Sequence, residues 1–117
     1  MIFLENIPIY VQIADDIKDQ IIAGKLCDDD KLLSIREYSL KYEVTALTMQ
    51  RALALLESEG AVETKKGVGS FVKAGVREQL KVRLVEELVR DFISRAKNMG
   101  ISNDEILENV REGLDND

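Results

Sequence analysis

The feature that most constrains the fold is the stretch SIREYSLKYEVTALTMQRALALLESEG, residues 34–60, in which two short helices follow one another almost without a linker. Ser34 and Glu37 form a capping box, because the hydroxyl of Ser34 can accept a hydrogen bond from the Glu37 amide while the Glu37 side chain returns one to Ser34. The pattern predicts a helix over about residues 35–42. At two turns this helix is too short to persist alone in water, so it must pack on another element.

The second helix of the pair combines an apolar face with an outward face that carries few acids. Thr45 can cap its first turn, and the pattern runs to about Glu59 before Gly60 ends it. The residues of the apolar face recur at helical spacing. They are Met49, Ala52, Leu53 and Leu56. The opposite row is Leu47, Gln50, Arg51 and Ala54.

The composition of this outward row favours contact with nucleic acid. Glutamine and arginine side chains can read base edges in a major groove, and an exposed leucine can contact a thymine methyl group. No acid interrupts the row before Glu57, whereas a merely solvated helix usually carries mixed charges throughout. Two short helices joined by a tight turn, with polar groups projecting from the first turns of the second, describe a helix-turn-helix.

A hairpin follows the second helix directly. The segments AVET and SFVK alternate as strands do, and KKGVG between them contains the glycines of a turn. Lys65 and Lys66 would lie at its tip, placed to contact phosphate or to enter a minor groove. The alternative is that both lysines protect a strand edge and keep it soluble. Gly67 suits the turn and also permits close approach of the backbone to a phosphate.

Another amphipathic helix precedes the pair, over about residues 9–23. Its apolar row is Tyr10, Ile13, Ile17 and Ile21. Pro8 near the first turn and Gly24 beyond the last are the usual start and stop signals. Residues 1–74 are therefore expected to form a winged helix-turn-helix domain, in an α+β chain that is mostly helical.

Residues 75–117 are expected to form a two-helix extension. The first helix covers residues 77–99 and has apolar positions over more than half its circumference, and Ser102 with Glu105 forms a second capping box for the last helix. Two such helices cannot bury so wide a face on each other. We expect a second copy of the chain to cover it, the alternative being packing back onto the first domain. The predicted dimer interface includes Leu84, Leu88, Phe92, Ile93, Ile106 and Val110.

Composition argues against several classes of function. The chain has one cysteine, Cys27, and no histidine, so neither an internal disulfide nor a cysteine–histidine metal site is expected. The carboxylates occupy solvated positions without an apolar pocket that could tune a catalytic pair. We therefore expect no enzyme, no metal and no cofactor. No apolar run approaches the ~18 residues that span a bilayer, and no signal peptide begins the chain, which favours a cytoplasmic location without a membrane partner.

The net charge of −6 argues against nucleic acid as a binding partner, but the distribution of the charges along the chain does not. Residues 1–30 and 74–117 are both acidic, whereas residues 31–73 carry seven basic and five acidic side chains. Phosphate binding depends on the local face rather than on the total charge.

These residues resemble the GntR family of winged helix-turn-helix regulators, and the short extension is similar to that of its YtrA-like branch. The family's Leu-Pro-Ser-x-Arg-Glu motif corresponds to residues 32–37, its recognition segment to residues 44–52, and its closing glycine-rich motif to residues 67–72. The resemblance implies that the DNA contacts fall on Arg36, Thr45, Ala46, Leu47, Thr48 and Gln50, and on the hairpin tip around Gly67. The outward row adds Arg51 to this set, and the hairpin adds Lys65 and Lys66.

Three positions differ from the family pattern. Leu33 stands where proline is usual, Ala46 where the branch commonly has proline or the wider family arginine, and Glu43 where a turn glycine is usual. If Glu43 adopts a positive φ, a non-glycine residue there costs roughly 1 kcal/mol. These changes bear on operator sequence and affinity more than on the fold.

The leading hypothesis is a sequence-specific transcriptional regulator, a repressor, that binds double-stranded DNA at a palindromic operator as a homodimer. The alternative is a winged-helix protein–protein interaction module whose functional surface is the apolar face of the extension. A third hypothesis adds a small-molecule effector. An extension of about 43 residues is too small to enclose a pocket, so an effector would bind between subunits or in a cleft.

Overall fold

The computed structural model describes all of residues 1–117 and contains five helices and one hairpin. The elements are α1 (Ile9–Ile22), α2 (Ile35–Tyr42), α3 (Ala46–Ser58), β1 (Val62–Lys65), β2 (Gly69–Val72), α4 (Val76–Asn98) and α5 (Asn103–Asp115). The helices predicted from periodicity and capping signals are all present, with ends within about two residues of those expected. None of the helices is both long enough and apolar enough to cross a membrane.

The chain divides into two compact units, Met1–Lys81 and Val82–Asp117. The predicted division at residue 74 falls at the start of α4, a little ahead of the boundary between the units. The first turns of α4 belong to the first unit because Val76 and Leu80 are buried in its core.

The first unit has a single apolar core to which all of its helices and both strands contribute. The core comprises Ile13, Ala14, Ile17, Ile21, Leu32, Tyr38, Tyr42, Met49, Ala52, Leu56, Ala61, Val62, Val72, Val76 and Leu80. Helix α3 packs against both α1 and α2. The short α2 thereby gains the neighbour that its length requires.

The hairpin is anchored at its base and exposed at its tip. Its strands pair antiparallel, with Val62 opposite Val72 at the buried end and Lys65 opposite Gly69 near the turn. A short third segment joins the sheet through a bridge between Lys31 and Phe71. The buried end holds the hairpin in the core, so its orientation follows from the packing of the domain.

A buried glutamine fastens the residues that precede α1. Oε1 of Gln12 accepts a 2.8 Å hydrogen bond from the backbone N–H of Leu4, and its Nε2 donates to the carbonyls of Leu4 and Ile7 at 2.9 and 2.8 Å. A buried amide side chain needs such partners, since an unpaired one is costly. The apolar periodicity of α1 gave no indication of this role.

The second unit leaves a wide apolar face exposed. The exposed side chains include Val82, Val85, Leu88, Val89, Phe92, Ile93, Met99, Leu107, Val110 and Leu114. The hydroxyl of Ser102 caps α5 by accepting a 3.2 Å hydrogen bond from the Glu105 N–H. The return bond from the Glu105 side chain is not formed, so the prediction of a second complete capping box was wrong.

Candidate nucleic-acid interface

The helix pair α2–α3 begins and turns as the sequence predicts. The Glu37 N–H donates to the hydroxyl of Ser34 at 3.1 Å, and the Ser34 N–H donates to the Glu37 carboxylate at 3.2 Å, which completes the first capping box. Glu43 ends α2 with φ 56° and ψ 49°, in the left-handed region. This one residue reverses the chain sharply enough for α3 to start three residues later.

Core packing of α3 leaves its outward row exposed. Met49, Ala52 and Leu56 are completely buried on the inner face, and Leu53 is half-buried. The outward row Leu47, Gln50, Arg51 and Ala54 is exposed. Leu47 retains 57% of its accessible surface in the chain.

The first turn of α3 is organised by two threonines. The hydroxyl of Thr45 accepts a 3.2 Å hydrogen bond from the Thr48 N–H and donates to the Thr48 hydroxyl at 3.0 Å. Thr45 is therefore the N-cap that the sequence predicts. Thr48 is half-buried, whereas Thr45 and Ala46 are exposed at the end of the helix.

The two lysines of the hairpin tip differ in their surroundings. The turn closes through a 2.9 Å hydrogen bond from the Val68 N–H to the Lys65 carbonyl, and Gly67 has φ +77°. Nζ of Lys65 lies 4.7 Å from the centroid of the Phe71 ring, a cation–π contact that folds this side chain back along the hairpin. Lys66 makes no such contact and is exposed at the tip.

A side-chain hydrogen bond joins the hairpin to the end of α3. The hydroxyl of Thr64 donates to the Glu57 carboxylate at 3.2 Å and lies 3.1 Å from the Ser70 hydroxyl across the strand pair. The alternation of β1 could have indicated this contact, since it places Thr64 on the same side as the buried Val62. This hydrogen bond therefore occupies the carboxylate of Glu57, the first acidic residue along the outer side of α3.

The N-terminus of α2 and the hairpin tip face a common open groove of about 790 Å³. Arg36 lines it from α2, Leu53 from α3, and Lys66 and Gly67 from the hairpin. Glu37 also lines this groove, but its carboxylate accepts the capping hydrogen bond described above. The tertiary fold thus brings together residues that lie about 30 positions apart in the sequence.

The cations of this surface are not paired with acids. Both ion pairs of the chain involve Lys18, whose ammonium lies 2.8 Å from Glu59 and 3.3 Å from Asp15. The four predicted contact cations therefore have no carboxylate within ion-pair distance. They are Arg36, Arg51, Lys65 and Lys66. Arg36, Lys65 and Lys66 line the groove, and unpaired cations on a concave surface suit a polyanionic backbone.

The predicted dimer residues all lie in the second unit but differ in exposure. Leu88, Phe92, Ile93 and Val110 keep 37–59% of their surface. Leu84 is half-buried, and Ile106 is only 9% exposed in the single chain. Most of the surface available to a partner is therefore on α4.

Comparison with known proteins agrees with this geometry. The profile of the bacterial regulatory proteins of the gntR family matches residues 9–72. The chain is 36% identical to the HTH-type transcriptional regulator YhcF of Bacillus subtilis, over 93% of this chain and 92% of that protein. It is 29% identical to the HTH-type transcriptional repressor YtrA of the same organism, over 90% of this chain and 83% of that protein.

Two solved structures extend the likeness. A GntR family transcriptional regulator from Listeria monocytogenes superposes with a TM-score of 0.87 at 36% identity, covering 94% of this chain and 98% of that one. The DNA-binding domain of AraR, solved in complex with the operator ORR3, superposes with a TM-score of 0.55 at 29% identity, over 62% of this chain and 84% of that one. The first match includes the helical extension as well as the helix-turn-helix and hairpin.

Proposed function

The chain belongs to the gntR family of bacterial regulatory proteins and is a DNA-binding transcriptional regulator, not an enzyme; from this premise we propose that it represses transcription as a homodimer on a palindromic operator. The observation that carries the proposal is the exposed, acid-free outward row of α3, flanked by unpaired cations on α2 and the hairpin. Such a regulator acts in the cytoplasm, where bacterial DNA lies.

Helix α3 enters the major groove and reads the operator. The Gln50 amide donates and accepts hydrogen bonds at base edges, the Arg51 guanidinium donates them, and Leu47 packs on a thymine methyl group. Thr45 and Ala46 lie at the helix end that approaches the backbone first. All five of these side chains are exposed, and Gln50 and Arg51 make no competing intramolecular contacts, which supports these roles.

The residues that line the open groove of the protein, between α2 and the hairpin tip, position it on the duplex without reading the base sequence. Arg36 contacts a phosphate beside the major groove, and Lys66 with Gly67 reaches the neighbouring backbone or minor groove. Phosphate contacts of this kind supply affinity that falls as salt concentration rises. The net charge of −6 is compatible with this role because the acids lie mostly outside residues 31–73.

Homodimerisation buries the apolar face of the second unit. An exposed face containing Leu88 and Phe92 is unfavourable in water, and an identical face on a second copy would cover it. A two-fold dimer presents two α3 helices, so the operator consists of two inverted half-sites about one helical turn apart.

Enrichment of duplexes from a random DNA pool with the purified chain tests the proposal. The expected result is a two-fold symmetric motif, with sedimentation equilibrium showing a dimer. If no motif is enriched, the sequence-reading role of α3 is wrong. The exposed apolar face favours a second candidate, a protein–protein interaction module, in which a protein partner co-purifies and no duplex is selected.

A small-molecule effector remains a separate proposal. Titration calorimetry with metabolites whose transport or breakdown genes neighbour the operator would detect it. Binding should then change the affinity of the protein for its operator, because an effector and DNA that share a regulator are thermodynamically linked.

A further inference from the structure

Lys31 lines the same groove as Arg36 and the hairpin tip, although it belongs to neither the helix pair nor the hairpin. We infer that Lys31 is a further DNA-contacting residue that binds a backbone phosphate, and that Gly69 positions its side chain to do so. The inference rests on the DNA-binding function and names a residue that neither the motif nor the outward row of α3 includes.

The backbone of Lys31 is held rigidly against the hairpin. Lys31 bridges to Phe71, and the next residue, Leu32, donates its N–H to the Ser70 carbonyl at 2.8 Å. Two further bonds, from the Asp29 N–H to Val72 and from the Val72 N–H to Asp30, continue the pairing at 3.0 and 2.9 Å. Lys31 is therefore fixed on the hairpin although about 40 residues separate them in sequence.

The side chain of Lys31 crosses the backbone of Gly69 at close range. A Cβ atom at Gly69 would lie 2.8 Å from Cε of Lys31, nearer than real Cβ atoms approach, and 3.7 Å from Nζ, an ordinary contact distance. Gly69 also has φ +141°, a conformation that other residues rarely adopt. The missing side chain at Gly69 thus leaves the space that the Lys31 stem occupies, and any larger residue would displace it.

The charged side chains that line the groove indicate which ligand the Lys31 ammonium group would bind. Lys31 has no carboxylate within ion-pair distance, and Glu37 in the same groove is engaged at the helix cap. Lys31, Arg36 and Lys66 therefore line one open groove as unpaired cations. The DNA backbone is the occupant that fits, since the groove adjoins the helix that reads the bases and the lysine ammonium is a compact point charge that donates to phosphate oxygens.

Salt-dependent binding of Lys31→Met tests the inference. Affinities for the selected operator and for an unrelated duplex are measured by fluorescence anisotropy between 50 and 300 mM salt. Because the dimer carries Lys31 twice, loss of both phosphate contacts should weaken both complexes by a similar factor, roughly 25- to 100-fold at 0.1 M salt, and should reduce the slope of log K against log salt by about 1.8. Lys31→Arg should retain the wild-type slope.

Lys25→Met is the matched control, because it changes the net charge equally at an exposed lysine outside the groove. Its slope should equal that of the wild type. A wild-type slope for Lys31→Met would overturn the inference, as would an equal slope change in the control. Failure of the wild-type protein to bind any duplex would instead contradict the proposed function itself.

Gly69→Ala tests the positioning role. It should reduce the salt slope by up to the same amount, and the double variant Lys31→Met/Gly69→Ala should show no slope change beyond that of Lys31→Met. A merely structural role for Gly69 would lower the melting temperature and leave the slope unchanged. Additive slope losses would show that Gly69 acts independently of Lys31. Should Gly69→Ala fail to fold, Lys31→Met alone decides the inference.

Discussion

The hydroxyl of Tyr42 donates a 2.7 Å hydrogen bond to Oδ2 of Asp16, which joins the last residue of α2 to the middle of α1. Nε2 of Gln20 donates to the same carboxylate oxygen at 3.2 Å. The rings of Tyr38 and Tyr42 stack with their centroids 5.9 Å apart. A two-turn helix that would not persist in water is thus held by aromatic packing and by one charge-assisted hydrogen bond.

Tyr42→Phe should lower the free energy of unfolding by about 1–2 kcal/mol, because it removes a hydrogen bond to a partly buried carboxylate. Urea denaturation at pH 7 measures the change. Tyr10→Phe is the matched control, since the Tyr10 hydroxyl has no protein partner, and its effect should stay within about 0.5 kcal/mol. Equal losses in the two variants would contradict the role of the Tyr42–Asp16 bond.

The Tyr42–Asp16 hydrogen bond should also make the free energy of unfolding depend on pH in the alkaline range. Burial, and then the hydrogen bond to Asp16 and the charge of that carboxylate, raise the pKa of Tyr42 well above its ordinary value. A folded pKa above the unfolded one means that the stabilisation is complete below about pH 10 and is lost as pH rises through the folded pKa. The stability advantage of the wild type over Tyr42→Phe should therefore shrink above pH 10, as measured by urea denaturation. An advantage that stayed constant there would argue against a shifted Tyr42.

Glu43→Gly should stabilise the first unit by roughly 1 kcal/mol, because it relieves the left-handed conformation at φ 56°. Thermal melts and urea titrations measure the gain. Glu43→Ala removes the carboxylate but keeps a Cβ in the strained conformation, so it should show little of this gain. If Ala and Gly stabilised equally, loss of charge rather than relief of backbone strain would be the cause.

Gln50→Ala and Lys66→Ala should affect DNA binding differently. Gln50→Ala should cost ~1–3 kcal/mol for each half-site of the operator and little on unrelated DNA, because a base contact is lost in each half-site. Lys66→Ala should weaken all duplexes alike and reduce the salt slope by about 2, since the dimer loses one phosphate contact in each subunit. Gel-shift titrations with both kinds of duplex separate the two effects. Unchanged affinity in both variants would remove the DNA-reading role from this surface.

Leu88→Asn should shift the chain from dimer to monomer in sedimentation experiments at micromolar concentration. The expected cause is the placement of an amide in the apolar face of α4, where Leu88 is 59% exposed in the single chain. Operator affinity should fall with it, since two half-sites would no longer be bound together. Arg83→Asn, at an exposed position about 140° around the same helix from Leu88, is the control and should leave the dimer intact. A dimeric Leu88→Asn would place the interface elsewhere.

Much of the secondary structure and the identity of the outward row followed from short-range patterns. The capping box of Ser34 and Glu37, the Thr45 cap and the apolar stripe of α3 depend on residues three or four positions apart, whose contacts arise wherever a helix forms. Most of the predicted DNA-contacting residues could be named from the sequence for this reason. Glu105 shows the limit of such local patterns, since the Ser102 hydroxyl accepts from its N–H but the return bond from its side chain does not form.

Tertiary packing decided which of these groups meet and which remain available. The groove that joins Arg36 to Lys66, the cation–π contact of Lys65 and the seat of Lys31 across Gly69 all connect residues from different elements. No local pattern encodes such contacts, because their distances follow from how the helices and the hairpin pack on one shared core. Periodicity therefore identified the helix that we propose to read DNA, whereas only the packed fold distinguished the unpaired lysines from those already engaged.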